Sequence, residues 1–139
     1  MKRIRVVGIV IRGDELLLIH RRNKEEYYVF PGGKVEEGER VEDAVLRELD
    51  EETSIKATIG KFLYKISYYD DNSEHQFYLC HYQSGIPKLS DDCEEKKEME
   101  KGEEFYRPLW VKLRELKNLK VYPPEVPGWI LRDFASSFN

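Results

Sequence analysis

The chain has 139 residues, 36% of them charged and 40% hydrophobic, with a formal net charge of −4 and two cysteines. This composition is typical of a soluble globular protein, and the length favours a single domain over residues 1–139. The composition and residue pattern exclude a transmembrane helix, a basic nucleic-acid-binding surface and a disulfide framework, so we expect no membrane or nucleic-acid partner and a cytoplasmic location.

The N-terminal part predicts a β-hairpin. Arg3–Arg12 is rich in Val and Ile, and Glu15–His20 follows after a Gly-Asp turn. Leu16–Ile19 shows no alternation, which indicates a strand buried on both faces. Arg21 and Arg22 come next. They form either a solvated turn or a pair of guanidinium groups suited to phosphate, and the residues alone leave both interpretations open.

A short aromatic strand precedes a glycine-rich turn. Residues 27–30 read Tyr-Tyr-Val-Phe and lead into Pro31-Gly32-Gly33, which breaks regular structure. Tyr28 and Phe30 are candidates for stacking on a nucleobase. Packing in the core is the alternative that we favour for either ring.

From Arg40 onward the residues favour a helix with an acidic face. Glu48, Glu51 and Glu52 stand at i, i+3 and i+4 and therefore share one side of it. Like charges at this spacing destabilise a helix by a few tenths of a kcal/mol. Oxygen ligands of this kind suit a hard cation such as Mg²⁺, with Mn²⁺ as an alternative. A solvated acidic surface remains the competing interpretation.

The stretch from Gly33 to Ile55 decides between these interpretations. Its spacing, Gly-x5-Glu-x7-Arg-Glu-Leu-x-Glu-Glu, is filled at every fixed position. The stretch resembles the signature box of the Nudix hydrolases, with Ser54 in place of the usual glycine. The resemblance implies an α/β fold, namely a Nudix-type α/β/α sandwich with a mixed β-sheet, and it extends in layout over roughly 6–111.

The same resemblance implies a function. The family hydrolyses nucleoside diphosphate-linked compounds by attack of water on phosphorus, with the help of divalent cations. We therefore expect Mg²⁺-dependent cleavage of a pyrophosphate bond, with a (d)NTP or modified nucleotide favoured by the small chain. The implied metal ligands are the Gly33 carbonyl, Glu39, Glu48, Glu51 and Glu52. The implied catalytic residues are Arg47, Glu48, Glu51 and Glu52, with Arg47 orienting the carboxylates. The implied substrate-binding residues are Arg21, Arg22, Tyr28 and Phe30.

The second half of the chain predicts further strands and a long loop. Residues 56–69, 74–83 and 105–111 have strand patterns, and 128–138 has the pattern of a C-terminal amphipathic helix. Residues 84–101 are expected to form an irregular loop. Within 91–104, eight acids and three lysines give a local charge of −5. We expect this acidic segment to be mobile without ligand, and part of it to order over the site when metal and nucleotide bind.

Several alternatives stay open at this point. The general base is either Glu48 or an acid of residues 94–104, among which Glu103 and Glu104 cannot be separated. A Nudix-fold binding or regulatory module without turnover is a second functional hypothesis, and an interaction protein that uses the acidic segment is a third. The group attached to the diphosphate is not encoded by the box, and a homodimer is left open.

Overall fold

The computed structural model describes residues 2–89, 93–102 and 104–134. Asp91, Asp92 and Glu103 of the acidic segment, and residues 135–138 of the predicted C-terminal helix, lie outside the described residues. No helix in the described ranges combines the length and apolar character needed to cross a bilayer. The strands are β1 (Arg3–Arg12), β2 (Glu15–Arg22), β3 (Glu26–Val29), β4 (Gly32–Lys34), β5 (Lys56–Tyr68), β6 (Ser73–Ser84), β7 (Phe105–Lys112) and β8 (Val121–Tyr122). The helices are α1 (Val41–Thr53), α2 (Glu94–Glu100) and α3 (Val126–Asp133), with a 3-10 helix at Leu113–Asn118.

The strands form one mixed sheet. Its order is β5-β6-β1-β2-β3-β8, while β4 pairs with β1 and β7 pairs with β2. The β1–β6 and β3–β8 pairs are parallel, and the other pairs are antiparallel. Strand β1 pairs with β2, β4 and β6, and β2 pairs with β1, β3 and β7. Because each of these strands has three neighbours, the sheet is curled. The predicted mixed α/β fold is confirmed.

Strand β1 separates the two halves of the core. Its side chains alternate, as a strand requires. Val6 and Val10 face a cluster that includes Val45 and Leu49 of α1. The odd-numbered positions face a second cluster, completed by the 3-10 helix and by α3 through Ile130. Helices therefore cover both faces of the sheet, and α1 is fixed against the centre of β1.

Strand β2 has the burial that its sequence predicts. Leu16, Leu17 and Leu18 are fully buried, and Ile19 is nearly so. Leu16 and Leu18 belong to the cluster on the α3 side, whereas Leu17 belongs to the cluster on the α1 side. A strand covered on both faces has no need of polar alternation, because neither face meets water.

The expectation of an irregular loop over residues 84–101 is wrong for its second half. Residues 94–100 form α2, and Cys93 caps it, since its sulfur accepts a hydrogen bond from the Lys96 amide at 3.4 Å. Glu, Lys and Met are good helix formers, so propensity outweighs the repulsion within an acidic run. The C-terminal helix also begins two residues earlier than predicted, at Val126.

Ser54 ends α1 in the geometry that the usual glycine would adopt. Its φ is 62° and its ψ is 15°, and its amide donates to the Asp50 carbonyl at 2.8 Å. The Ser54 hydroxyl also donates to the Lys88 carbonyl at 2.8 Å. A left-handed conformation costs a residue with a Cβ about 1–2 kcal/mol, and the hydroxyl bond offsets part of that cost. The departure from the box pattern therefore leaves the turn intact.

This balance can be measured by chemical denaturation. Ser54→Ala keeps the strained conformation and loses the hydroxyl bond, so we expect it to lower the free energy of unfolding by about 1 kcal/mol. Ser54→Gly loses the same bond but relieves the strain, so it should stay close to the parent protein. Equal urea midpoints for the two variants would show that the left-handed turn carries no strain.

Candidate active site

Strand β4 and helix α1 bring the box residues together. Gly33 is paired with Val6 of β1, and α1 packs on the same strand through Val45 and Leu49. The acidic face of α1 is thereby directed along β4 rather than into bulk solvent. Glu48 and Glu52 are shielded by this packing, whereas the Glu51 side chain is 48% exposed.

One guanidinium holds most of the box carboxylates. Arg47 donates to both oxygens of Glu39 at 2.7 and 3.0 Å, to Glu48 at 2.8 Å and, more weakly, to Glu51 at 3.4 Å. It also donates to the Lys34 carbonyl at 2.9 Å, which joins α1 to β4. Hydrogen bonds from Arg47 are the main reason that the pKa of Glu39 falls to about 2. Four of the predicted site residues are therefore one ion-paired unit.

Gly33 lies directly against the Glu48 carboxyl group. A Cβ at this position would lie 2.6 Å from both carboxyl oxygens, so a side chain there would force the carboxyl group to move. Glycine lets the β4 backbone approach the carboxylate without this displacement. The contact also removes water from Glu48, and this burial is the main reason that the pKa of Glu48 is raised, against the opposing effect of Arg47.

Glu52 is the most deeply buried of the box acids. It is 6% exposed and accepts a hydrogen bond from the Gly32 amide at 2.9 Å. Burial raises its pKa well above the ordinary value, and the charges of Glu95 and Glu48 add to the effect. A carboxylate in this position is destabilising at neutral pH unless a positive charge comes to it.

A cleft of about 500 Å³ opens beside Glu52. Gly32 and Gly33 form part of its wall, and Glu95 of α2 lines it as well. Other residues that line it are Arg5, Arg21, Phe30, Tyr68, His75, Phe77, Tyr106, Tyr122, Pro123 and Pro124. A second groove, of about 880 Å³, lies along α2 and β7 and includes none of the box carboxylates among its described lining residues.

The four predicted substrate-binding residues divide into two pairs. Arg21 and Phe30 line the cleft, and Phe30 is also part of the core, as favoured from the sequence. Arg22 and Tyr28 are not among the described residues that line it. Arg22 lies over the Phe105 ring at 4.8 Å, and Tyr28 stacks on His20 with ring centres 4.7 Å apart.

The sequence predicts that an acid of residues 94–104 can serve as general base, but it does not predict that residues 94–100 form α2. Glu95 faces the cleft, and Glu98, one helical turn along, accepts a hydrogen bond from the Tyr106 hydroxyl at 2.8 Å. The i, i+3 spacing of the two acids was available in the sequence. This spacing places two side chains on one face only in a helix, and a loop assignment for the segment therefore gives it no structural meaning.

A NUDIX domain model matches residues 1–130. The chain belongs to the Nudix family. A solved MutT structure, from work on the fish pathogen Aliivibrio salmonicida and on Vibrio cholerae, covers 99% of this chain and is itself covered over its full length, with a TM-score of 0.72 and 26% identity.

Two curated relatives of this Nudix chain carry named activities. The 8-oxo-dGTP diphosphatase of Buchnera aphidicola subsp. Schizaphis graminum is 32% identical over 77 residues, which are 53% of this chain and 59% of that protein. The CTP pyrophosphohydrolase of Escherichia coli K12 is 39% identical over 67 residues, which are 45% of this chain and 50% of that protein. The matched segments thus span three fifths or less of these relatives.

The Nudix family implies a divalent cation, and the donors present here fit one. The box offers carboxylate oxygens and a glycine that allows close backbone approach, which is the chemistry that hard cations prefer. No group of three or more His, Cys, Asp or Glu side chains in the described part of the chain is already gathered for a metal. The Arg47 guanidinium lies among Glu39, Glu48 and Glu51 instead.

The burial of Glu52 predicts a pH-dependent gain in stability on its neutralisation. Because the folded protein raises the pKa of Glu52, folding is penalised as pH rises above the ordinary value of 4.5. Metal-free Glu52→Gln should therefore be more stable than the parent at pH 8, by on the order of 1 kcal/mol or more, since Gln can still accept from Gly32. The gain should vanish near pH 4.

Urea unfolding in EDTA at both pH values measures this gain. Asp50→Asn is the matched control, because Asp50 is an exposed acid of the same helix that pairs with Lys56. A Glu52→Gln protein that is less stable than the parent at pH 8 would contradict the burial penalty.

Proposed function

We propose that this Nudix chain is a Mg²⁺-dependent hydrolase of nucleoside diphosphate-linked compounds that acts as one domain. The observation that carries the proposal is the position of the buried Glu52 carboxylate, which forms part of the wall of a cleft large enough for a nucleotide. Uncompensated acids at this place lower the stability of the free protein. Such an arrangement is expected where a cation and a polyphosphate bind together.

The metal ligands that we propose are the Gly33 carbonyl, Glu39, Glu48, Glu51 and Glu52. Bound Mg²⁺ lowers the pKa of water and neutralises the charge on phosphate oxygens. Arg47 has two tasks in this proposal. It neutralises the acids in the free protein, and it orients Glu39 and Glu48 through its planar fork of donors.

Glu48 is our candidate for the general base. Its side chain is 16% exposed, and burial raises its pKa, which brings the carboxylate closer to the pH at which a base works best. The hydrogen bond from Arg47 Nη1 to Glu48 Oε1 holds one oxygen and leaves the other to accept a proton from water. Glu95 is a second candidate, because it faces the same cleft from α2.

The substrate that we propose is a (d)NTP or a modified nucleotide. The relatives named for 8-oxo-dGTP and CTP support this class. The lining of the cleft suits the two parts of a nucleotide. Arg5, Arg21 and His75 offer polar groups for phosphate, and the aromatic and apolar residues offer surface for a base. Arg21 supplies a guanidinium for phosphate, and Phe30 supplies an aromatic surface. Arg22 and Tyr28 remain part of the proposed set, although reaching a ligand would require them to leave Phe105 and His20.

Turnover of a nucleotide panel tests the proposal. The parent protein should release pyrophosphate or phosphate from at least one of CTP, the canonical dNTPs and 8-oxo-dGTP, or AMP and ribose 5-phosphate from ADP-ribose. Release should require Mg²⁺ or Mn²⁺ and stop in EDTA. Tight nucleotide binding by calorimetry with no product in any reaction would instead identify a binding or regulatory module.

Substitutions in the box then separate the roles of its residues. Glu51→Gln should lower kcat by orders of magnitude, because a ligand charge is lost, whereas Asp50→Asn on the same helix should leave kcat unchanged.

Arg47→Lys should lower kcat about 10–100-fold, since a point charge does not reproduce the bidentate fork to Glu39. Steady-state kinetics over a Mg²⁺ titration measures these effects. Parental kinetics in Arg47→Lys would place Arg47 outside the catalytic machinery.

A further inference from the structure

A chain of hydrogen bonds links the cleft to α2. Arg21 of β2 lies opposite Tyr106 of β7 in the sheet, and its Nη2 donates to the Tyr106 hydroxyl at 2.8 Å. The same hydroxyl donates to Glu98 of α2 at 2.8 Å. We call these three residues, Arg21, Tyr106 and Glu98, the α2 clamp. The Tyr106 hydroxyl acts as acceptor and donor at once, so its removal breaks both links.

The central residue of the clamp is buried. Tyr106 is 7% exposed and packs with Ile19, Leu89 and Cys93. The Arg21 guanidinium lies over the Tyr106 ring, 4.5 Å from its centre. Hydrogen bonds shielded from water in this way are stronger than exposed ones, and their loss is correspondingly more costly.

Helix α2 depends on such a link. It has seven residues, which is too short for independent stability in water. It also carries the acid Glu95, which lines the same cleft as Glu52 of α1. Because like charges repel, an attractive contact such as the clamp is needed to hold α2 at the cleft.

The spacing of α2 turns the clamp into a positioning device. Glu95 and Glu98 are one helical turn apart and share a face. When Glu98 is bound to Tyr106, Glu95 is directed into the cleft beside Glu52. Arg21 adds a positive charge at the same place, with Glu104 at 3.6 Å. Arg21 Nε and Glu104 Oε2 are buried without a hydrogen-bond partner among the described residues.

We propose that Tyr106 and Glu98 are positioning residues that hold α2 against the nucleotide cleft and thereby fix Glu95 opposite Glu52. The effect of the clamp on turnover rests on the proposed function, whereas the existence of the clamp does not. Tyr106 lines the cleft, but the role proposed here is carried by its hydroxyl, which is bound to Arg21 and Glu98. The effect of Tyr106 and Glu98 on the reaction passes through the place and charge of Glu95.

Hydrogen exchange in the full chain, without metal or nucleotide, tests the clamp directly. Tyr106→Phe keeps the ring and removes the hydroxyl, so amide exchange over residues 94–100 should accelerate about tenfold. Glu98→Ala should have the same effect, whereas Glu98→Gln retains an acceptor and should stay closer to the parent. Glu100→Ala is the control, since Glu100 is exposed on the same helix. Unchanged exchange in both Tyr106→Phe and Glu98→Ala would overturn the clamp.

A double-mutant cycle tests the link to Glu95. Glu98→Ala leaves the bond from Arg21 to Tyr106 in place, so it changes only the link to α2. Glu98→Ala and Glu95→Gln should each lower kcat/KM, and the double variant should be no worse than Glu95→Gln alone, because Glu98 acts through that residue. Losses of kcat/KM that multiply in the double variant would overturn the positioning role. Equal losses of kcat/KM in Glu98→Gln and Glu98→Ala would overturn it as well, because only Gln retains an acceptor. If the parent protein turns over no nucleotide, the proposed function fails, while the exchange experiment still decides the clamp.

Discussion

Repulsion between carboxylates is the main physical constraint on the site, and the Arg47 guanidinium offsets most of it. Helix geometry brings Glu48 and Glu51 together, and Arg47 offsets the repulsion among Glu39, Glu48 and Glu51 by pairing with all three. The same residue is tied to the β4 backbone through the Lys34 carbonyl, so neutralisation and positioning are one interaction. A lysine would supply the charge but not the several directed bonds.

Glu52 lies outside the reach of this neutralisation. It is buried beside Gly32 and faces the cleft, so its charge is left partly uncompensated in the free protein. Functional sites commonly sacrifice stability in this way, because the missing charge is supplied by what they bind. The rest of the fold, with hydrophobic clusters on both faces of the sheet, supplies the stability that such a site removes.

The two ends of the acidic segment differ in what they contact. Glu95 and Glu98 lie on α2, where Glu95 faces the cleft and Glu98 pairs with Tyr106. Glu104 lies beside Arg21. The acids of this segment, which the sequence shows only as a run of negative charge, therefore make different contacts in the fold. Helix formation separates these contacts, since it turns spacing along the chain into direction in space.

The sequence by itself determined the family, the mixed α/β class, the two-sided burial of β2 and the helical face that carries Glu48, Glu51 and Glu52. These features follow from local spacing and hydrophobic pattern, which a linear chain displays directly. Tertiary structure alone decided that Gly33 lies against Glu48, that Arg21 but not Arg22 lines the cleft, and that α2 meets Tyr106. Each of these contacts joins segments distant in sequence, and no periodicity within either segment encodes the partner that the curled sheet brings to it.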